Sequence, residues 1–126
     1  MPSKSLNRRK FLQASAAGTF AFQFVPSRAF GANERVAVAG IGSGGKGSSD
    51  IAGASGAGAD IVALCDVDDG RAAGTYKKFP KAKRFKDFRK LLEKMGDTVD
   101  AVTVSTPDHM HFHAALQAIR MGKHVY

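Results

Sequence analysis

Cysteine is nearly missing from this chain of 126 residues: Cys65 is the only one. No internal disulfide can form, and no cysteine pair has the spacing of a metal site. Once the first thirty residues are set aside, no apolar run is long enough to span a bilayer. Acidic residues are few, 11 against 19 Lys and Arg, a formal charge of +8. That excess is uneven. Residues 1–35 carry Lys4, Arg8, Arg9, Lys10, Arg28 and Arg35 against Glu34 alone, a net of +5, and the other 91 residues carry only +3. The basic stretch from Lys77 to Lys94 has no interleaved aromatic motif. It reads as a solvated helical face, which argues against a nucleic-acid partner. No internal repeat is present.

The basic start has its own reading. Asn7-Arg8-Arg9-Lys10-Phe11-Leu12-Gln13 is followed by a moderately apolar stretch to Val25 and by small residues around Ser27–Gly31. The order resembles a twin-arginine export signal over residues 1–31. It implies a signal-peptide helix, the twin-arginine translocase as a partner and a periplasmic location. Twin-arginine export carries folded proteins, which suits a protein that binds its nucleotide in the cytoplasm.

What the remainder has in plenty is glycine, 14 in all. Arg35-Val36-Ala37-Val38-Ala39 is a short apolar strand that runs into Gly40-Ile41-Gly42-Ser43-Gly44-Gly45-Lys46-Gly47. Gly40, Gly42 and Gly45 satisfy G-x-G-x-x-G. In this frame Gly40 makes the turn off the strand, Gly42 lets a pyrophosphate approach the backbone, and Gly45 lets the next helix pack closely. A second apolar strand, Asp60–Cys65, ends at Asp66, 21 residues after Gly45. That is the offset at which a carboxylate meets the adenosine ribose. Asp66 favours NAD over NADP because it repels a 2′-phosphate. Arg71 offsets that repulsion if its side chain swings back.

Strands and helices then alternate. Helices are expected from Lys46 to about Ala54 and from Asp68–Asp69 to about Phe79, with Pro80 as the stop. A strand is expected at Lys83–Phe85. Asp87 is a suitable N-cap, and Phe88, Leu91, Leu92 and Met95 share one helical face ended by Gly96. Asp100–Ser105 is a β-branched strand, a helix runs from about His109 to Met121, and a fifth strand begins at Lys123. Such alternation predicts right-handed crossovers and a parallel sheet. His109, His111 and His113 alternate, but on a helix residues two apart diverge by about 200°, so a shared metal is not expected. Asp68 and Asp69 suit helix capping. Lys46 suits either a phosphate or solvent. Cys65 suits the core.

Taken together, Val36–Gly42, Ala63-Leu64-Cys65-Asp66-Val67-Asp68, the string Asp100–His111, and Ala118 with Gly122-Lys123-His124-Val125-Tyr126 resemble the Gfo/Idh/MocA family of oxidoreductases. The resemblance runs from about residue 34 to Tyr126. It implies a Rossmann-type doubly wound α/β domain of about five parallel strands over 34–126. The implied ligand is NAD, with NADP possible, and the implied substrate is a sugar or polyol. By that resemblance Gly40, Ile41, Gly42 and Gly45 cradle the pyrophosphate and Asp66 takes the ribose. Ser105, Thr106, Pro107 and His111 lie near the nicotinamide.

In the family, Gly-Lys-His-Val-Tyr leads into a Glu-Lys-Pro motif, and the catalytic acid–base residues come later. The chain reaches Tyr126 before either. The resemblance therefore implies the nucleotide-binding portion of a longer, homo-oligomeric enzyme, with no catalytic residue among these 126. Two alternatives keep the same domain: a non-catalytic nucleotide-binding module, and part of an NAD-dependent glycosidase.

Overall fold

The computed structural model describes residues 35–126. The proposed leader lies outside the described residues. The chain runs β1 (Ala37–Ile41), α1 (Lys46–Gly56), β2 (Asp60–Cys65), α2 (Asp69–Lys78), β3 (Lys83–Phe85), α3 (Phe88–Met95), β4 (Ala101–Val104), α4 (Asp108–Arg120) and β5 (His124–Val125). All strand pairs are parallel, in the order β3-β2-β1-β4-β5. Every strand and helix expected within residues 35–126 is present, with ends displaced by a residue or two. α1 runs two residues past Ala54, and β2 stops at Cys65.

The order reverses direction at β1. Strands β2 and β3 lie to one side of it, and β4 and β5 to the other. The same reversal sorts the helices. Ile51 of α1 joins Leu64, Ala72, Tyr76 and Ala82 in one apolar cluster. Leu91, Leu92 and Met95 of α3 join Ala39, Ile41, Ala63, Cys65, Val102, Val104, Ala114 and Ala118 in a second cluster on the opposite face. Period-two alternation divides β1 and β4 between these faces. In β2 the pairing slips: Val38 faces Ile61 but Ala39 faces Ala63, so Val62 is an extra residue. That bulge explains why adjacent Val62 and Ala63 both pack toward the larger cluster.

Local signals place the helices. Asp68 caps α2 by accepting from the Arg71 N–H, and Asp87 caps α3 by accepting from the Arg89 N–H. The Arg89 side chain adds its own bonds to the Asp87 carboxylate, holding that carboxyl near a pKa of about 2. Leu91 and Leu92 are fully buried, each contributing about 1.5–3 kcal/mol of burial free energy. Pro107 precedes α4 as its N-cap, where a missing N–H costs nothing. The Asp100 carboxylate accepts from the Ala37 N–H at 2.8 Å and ties the starts of β4 and β1 together.

Candidate functional site

The C-terminal ends of β1 and β4 meet where the sheet reverses direction, the position at which open α/β sheets bind ligands. The chain leaves β1 at Gly42 (φ +82°), not at Gly40. Gly40 is inside the strand, where a Cβ would strike Ile51 of α1. A Cβ on Gly42 would lie 2.5 Å from the Ser105 carbonyl oxygen, so only glycine lets the turn sit against β4. Gly47, in the first turn of α1, is tighter still: a Cβ there would overlap the Gly42 carbonyl oxygen.

These contacts move the three glycine jobs along the chain. Gly42, Gly44 and Gly47 also satisfy G-x-G-x-x-G. In that frame the first glycine makes the turn and the third lets the helix lie on it, as the fingerprint requires. In the frame of Gly40, Gly42 and Gly45, the first glycine is strand and the third is the N-cap of α1 at φ +57°. Gly40 is therefore a packing glycine beneath α1. Ile41 is 1% exposed, its side chain lies in the larger core cluster, and its carbonyl accepts from the Ser105 N–H at 2.8 Å. It supports the turn and presents no side chain to a ligand.

The loop is held by its own polar groups. The Cys65 carbonyl accepts from the Gly42 N–H (2.9 Å), the Ser43 N–H (3.1 Å) and the Ser43 hydroxyl (3.1 Å). The Ser43 carbonyl accepts from the Thr75 hydroxyl at 2.6 Å, which anchors the loop to α2. Asp66 accepts from the Gly44 N–H at 2.8 Å through one oxygen and from the Asp68 N–H at 2.9 Å through the other. A carboxylate has about four acceptor positions, so two remain for a diol. The N–H groups of Gly45 and Lys46 have no acceptor among the described residues. Both lie at the positive end of α1.

The β4 side is built differently. The Ser105 hydroxyl donates to Asp50 of α1 at 2.7 Å, and the other Asp50 oxygen pairs with Lys46 Nζ at 2.7 Å. Hydrogen bonds from Lys46 and then Ser105 hold the Asp50 carboxyl below its usual range, and Asp50 in turn raises Lys46. Lys46 is thus an ion-pair partner within α1. Asp50 was not singled out from the sequence. The i,i+4 spacing to Lys46 is the one signal that could have found it. Thr106 Oγ1 is buried without a hydrogen-bond partner among the described residues. His111 Nδ1 lies 3.4 Å from the Thr106 carbonyl oxygen. A proton on Nδ1 leaves Nε2 as an acceptor facing away from that carbonyl. His109, His111 and His113 diverge around α4, and no group of three His, Cys, Asp or Glu among the described residues could hold a metal. Cys65 is buried, and desolvation pushes its thiol up to about 12.

A glycine turn at a switch point, open amides at a helix start and a carboxylate at the end of the neighbouring strand define an NAD-binding Rossmann α/β protein. Residues 34–126 match the family described as "Oxidoreductase family, NAD-binding Rossmann fold", and the chain belongs to this Gfo/Idh/MocA family. Comparison with curated proteins finds no match. Among solved structures, the chain is similar to myo-inositol dehydrogenase from Lactobacillus casei in complex with NAD(H) and myo-inositol. The identity is 29%, the TM-score 0.64, and the match covers 73% of this chain and 27% of that one. GenD2 from gentamicin A biosynthesis, in complex with NAD, is 28% identical with a TM-score of 0.64, covering 73% and 26%. An NAD-binding oxidoreductase from Klebsiella pneumoniae is 30% identical with a TM-score of 0.61, covering 74% and 26%. The chain spans about a quarter of the length of each.

Proposed function

We propose that this chain is the nucleotide-binding portion of an exported oxidoreductase that acts on a sugar or cyclitol. The observation that carries the reading is the Gly42–Gly47 turn, packed so closely on β4 and α1 that two helix-start amides are left open beside Asp66. The residues fit the dinucleotide. The Gly45 and Lys46 amides face the pyrophosphate, and Asp66 accepts from the adenosine ribose hydroxyls. Ser105, Thr106, Pro107 and His111 would border the nicotinamide half. Bound NAD supplies a hydride acceptor at the nicotinamide ring. These residues orient it, and none is assigned as an acid or base. The sugar or cyclitol substrate class is supported by the myo-inositol named with the Lactobacillus casei structure.

Titration of the chain with NADH, followed by nicotinamide fluorescence, tests the reading. Micromolar binding is expected, and Asp66→Ala should weaken it about tenfold or more, the cost of a lost charge-assisted bond. Undiminished affinity in Asp66→Ala removes the ribose assignment. Sugar turnover by the 126-residue chain alone overturns the binding-portion reading. Export rests on Arg8 and Arg9. With both changed to Lys the precursor should stay in the cytoplasm, and normal export would refute the leader.

A further inference from the structure

The basic stretch from Lys77 to Lys94 does not lie along one helix. Its nine Lys and Arg are carried by α2, β3, α3 and the loops between them, and all nine are exposed. Asp87 and Glu93 are the only acids in that stretch, whereas the rest of residues 35–126 carries five basic and eight acidic side chains. Charge is therefore segregated, with the excess of cations on the elements at the β3 edge of the sheet. Only two of the nine have a carboxylate partner among the described residues: Lys86 with Asp69 and Arg89 with Asp87. Guarding a sheet edge takes fewer charges than this, because β3 is only three residues long.

At this edge α2 and β3 enclose a groove of about 470 Å³. Ala73, Tyr76 and Phe85 form its less exposed lining, and Lys77, Arg84 and Lys86 its exposed lining, with Asp69 holding Lys86 at 2.7 Å. The Arg84 guanidinium packs over the Tyr76 ring, 4.7 Å from its centre, so it is held in place before any anion arrives. None of the residues assigned to the nucleotide lines this groove. Its pairing of apolar carbon with cations selects among anions. A polyphosphate has no apolar face to set against Ala73 and Phe85. Base stacking takes an exposed aromatic ring, and insertion into lipid takes an exposed apolar side chain. No large hydrophobic side chain is exposed between residues 77 and 94. A sugar ring has a C–H face, and an acidic sugar adds a carboxylate or sulfate for the cations. We propose that this groove binds one unit of an acidic glycan, and that the unpaired cations around it hold the neighbouring units. This rests on the sugar reading above and narrows it to acidic sugars, captured apart from the nucleotide crevice.

The test titrates the 15N-labelled chain with trigalacturonate and with a sulfated galactose trimer, followed by amide chemical shifts. Polyphosphate of matched charge, a DNA duplex and anionic phospholipid vesicles are titrated in parallel. At least one acidic trimer should bind with a Kd of about 1 mM or tighter, and should move the amides of residues 73–77 and 84–86. The better of the two identifies the anionic group as carboxylate or sulfate. Lys77→Gln with Arg84→Gln should weaken that trimer by about ten- to a hundredfold, the range for lost charged hydrogen bonds. Arg120→Gln with Lys123→Gln removes equal charge away from the groove and should change the affinity by less than about threefold, under 1 kcal/mol. Equal losses in the two double variants would overturn the proposal. So would polyphosphate, DNA or vesicles binding at the same amides as tightly as the trimers, which would make the edge a general polyanion surface. NADH binding should be the same in the Lys77 and Arg84 double variant as in wild type. NADH binding with no binding of either trimer sinks this inference and leaves the nucleotide site standing. Trimer binding without NADH binding sinks the nucleotide reading and leaves the groove.

Discussion

Two glycines six positions apart on α1 should respond to alanine in opposite directions. Gly47 faces the Gly42 carbonyl so closely that an added methyl overlaps the oxygen. To restore an ordinary carbon–oxygen contact of about 3.3 Å, the start of α1 must back away by roughly 1.5 Å. The obstacle is backbone, so no rotamer change relieves it. Overpacking of this kind costs about 1–3 kcal/mol where side chains can yield, and Gly47→Ala should reach or exceed the top of that range. Gly53 is exposed in the same helix with nothing within 4 Å of its missing Cβ. There the helix preference for alanine acts alone, and Gly53→Ala should stabilise by about 0.5–1 kcal/mol. For a domain of this size, each kcal/mol moves the midpoint by about 4–8 °C. Thermal unfolding should therefore show Gly47→Ala falling by 10 °C or more, by the same estimate of about 4–8 °C per kcal/mol, and Gly53→Ala rising by a few degrees. NADH binding separates the two again. Displacing the start of α1 removes the Gly45 and Lys46 amides from their positions, so Gly47→Ala should not bind, and Gly53→Ala should bind as wild type. A Gly47→Ala protein with wild-type stability and affinity would refute the assignment of Gly42, Gly44 and Gly47.

Asp87 gives a pH signature. Its carboxyl is lowered to about 2 by the Arg89 side chain and amide, so its stabilising effect is complete above the unfolded carboxylate value, about 3.9, and fades as pH falls toward 2. The midpoint difference between wild type and Asp87→Ala should be constant from pH 5 to 7 and narrow progressively between about pH 4 and 2; an undiminished gap at pH 2 would refute the ionic cap. Cys65, with its thiol pushed up to about 12, should resist alkylation at pH 8 in the folded chain and react readily in denaturant, as mass spectrometry would show. Fast labelling of the folded chain would contradict its burial.

Local chemistry made most of the fold legible. Asp87 followed by Phe88, Leu91, Leu92 and Met95 contains both the start and the buried face of α3, so that element needs no knowledge of its neighbours. The β-branched run through Val104 and the stop at Pro80 are equally self-contained. The glycine loop was found but misread by two residues, for a physical reason. Gly40, Gly42, Gly44, Gly45 and Gly47 fit the spacing in two frames, and only contacts with Ser105 and across to Gly42 distinguish them. Those contacts join residues far apart in sequence. The same holds for Asp50, whose bond to Ser105 spans 55 positions, and for Arg71, whose path back across the loop depends on where α1 lies relative to α2. Asp66 was legible because strand length and a terminal acid are both local. Its simultaneous hold on the Gly44 and Asp68 amides was not.

The helix that bears the open amides is poorly equipped to hold itself. Its sequence, KGSSDIAGASG, includes three glycines and three serines, it has no side-chain cap, and Ile51 is its one large buried side chain. Most of the order in α1 is thus borrowed from the sheet, through buried Ile51 and the hydrogen bond from Ser105 to Asp50. Its amides should exchange with deuterium faster than those of α3, and saturating nucleotide should slow them most of all. Ligand capture and completion of the fold then draw on one free energy, and a chain emptied of nucleotide is a less finished protein.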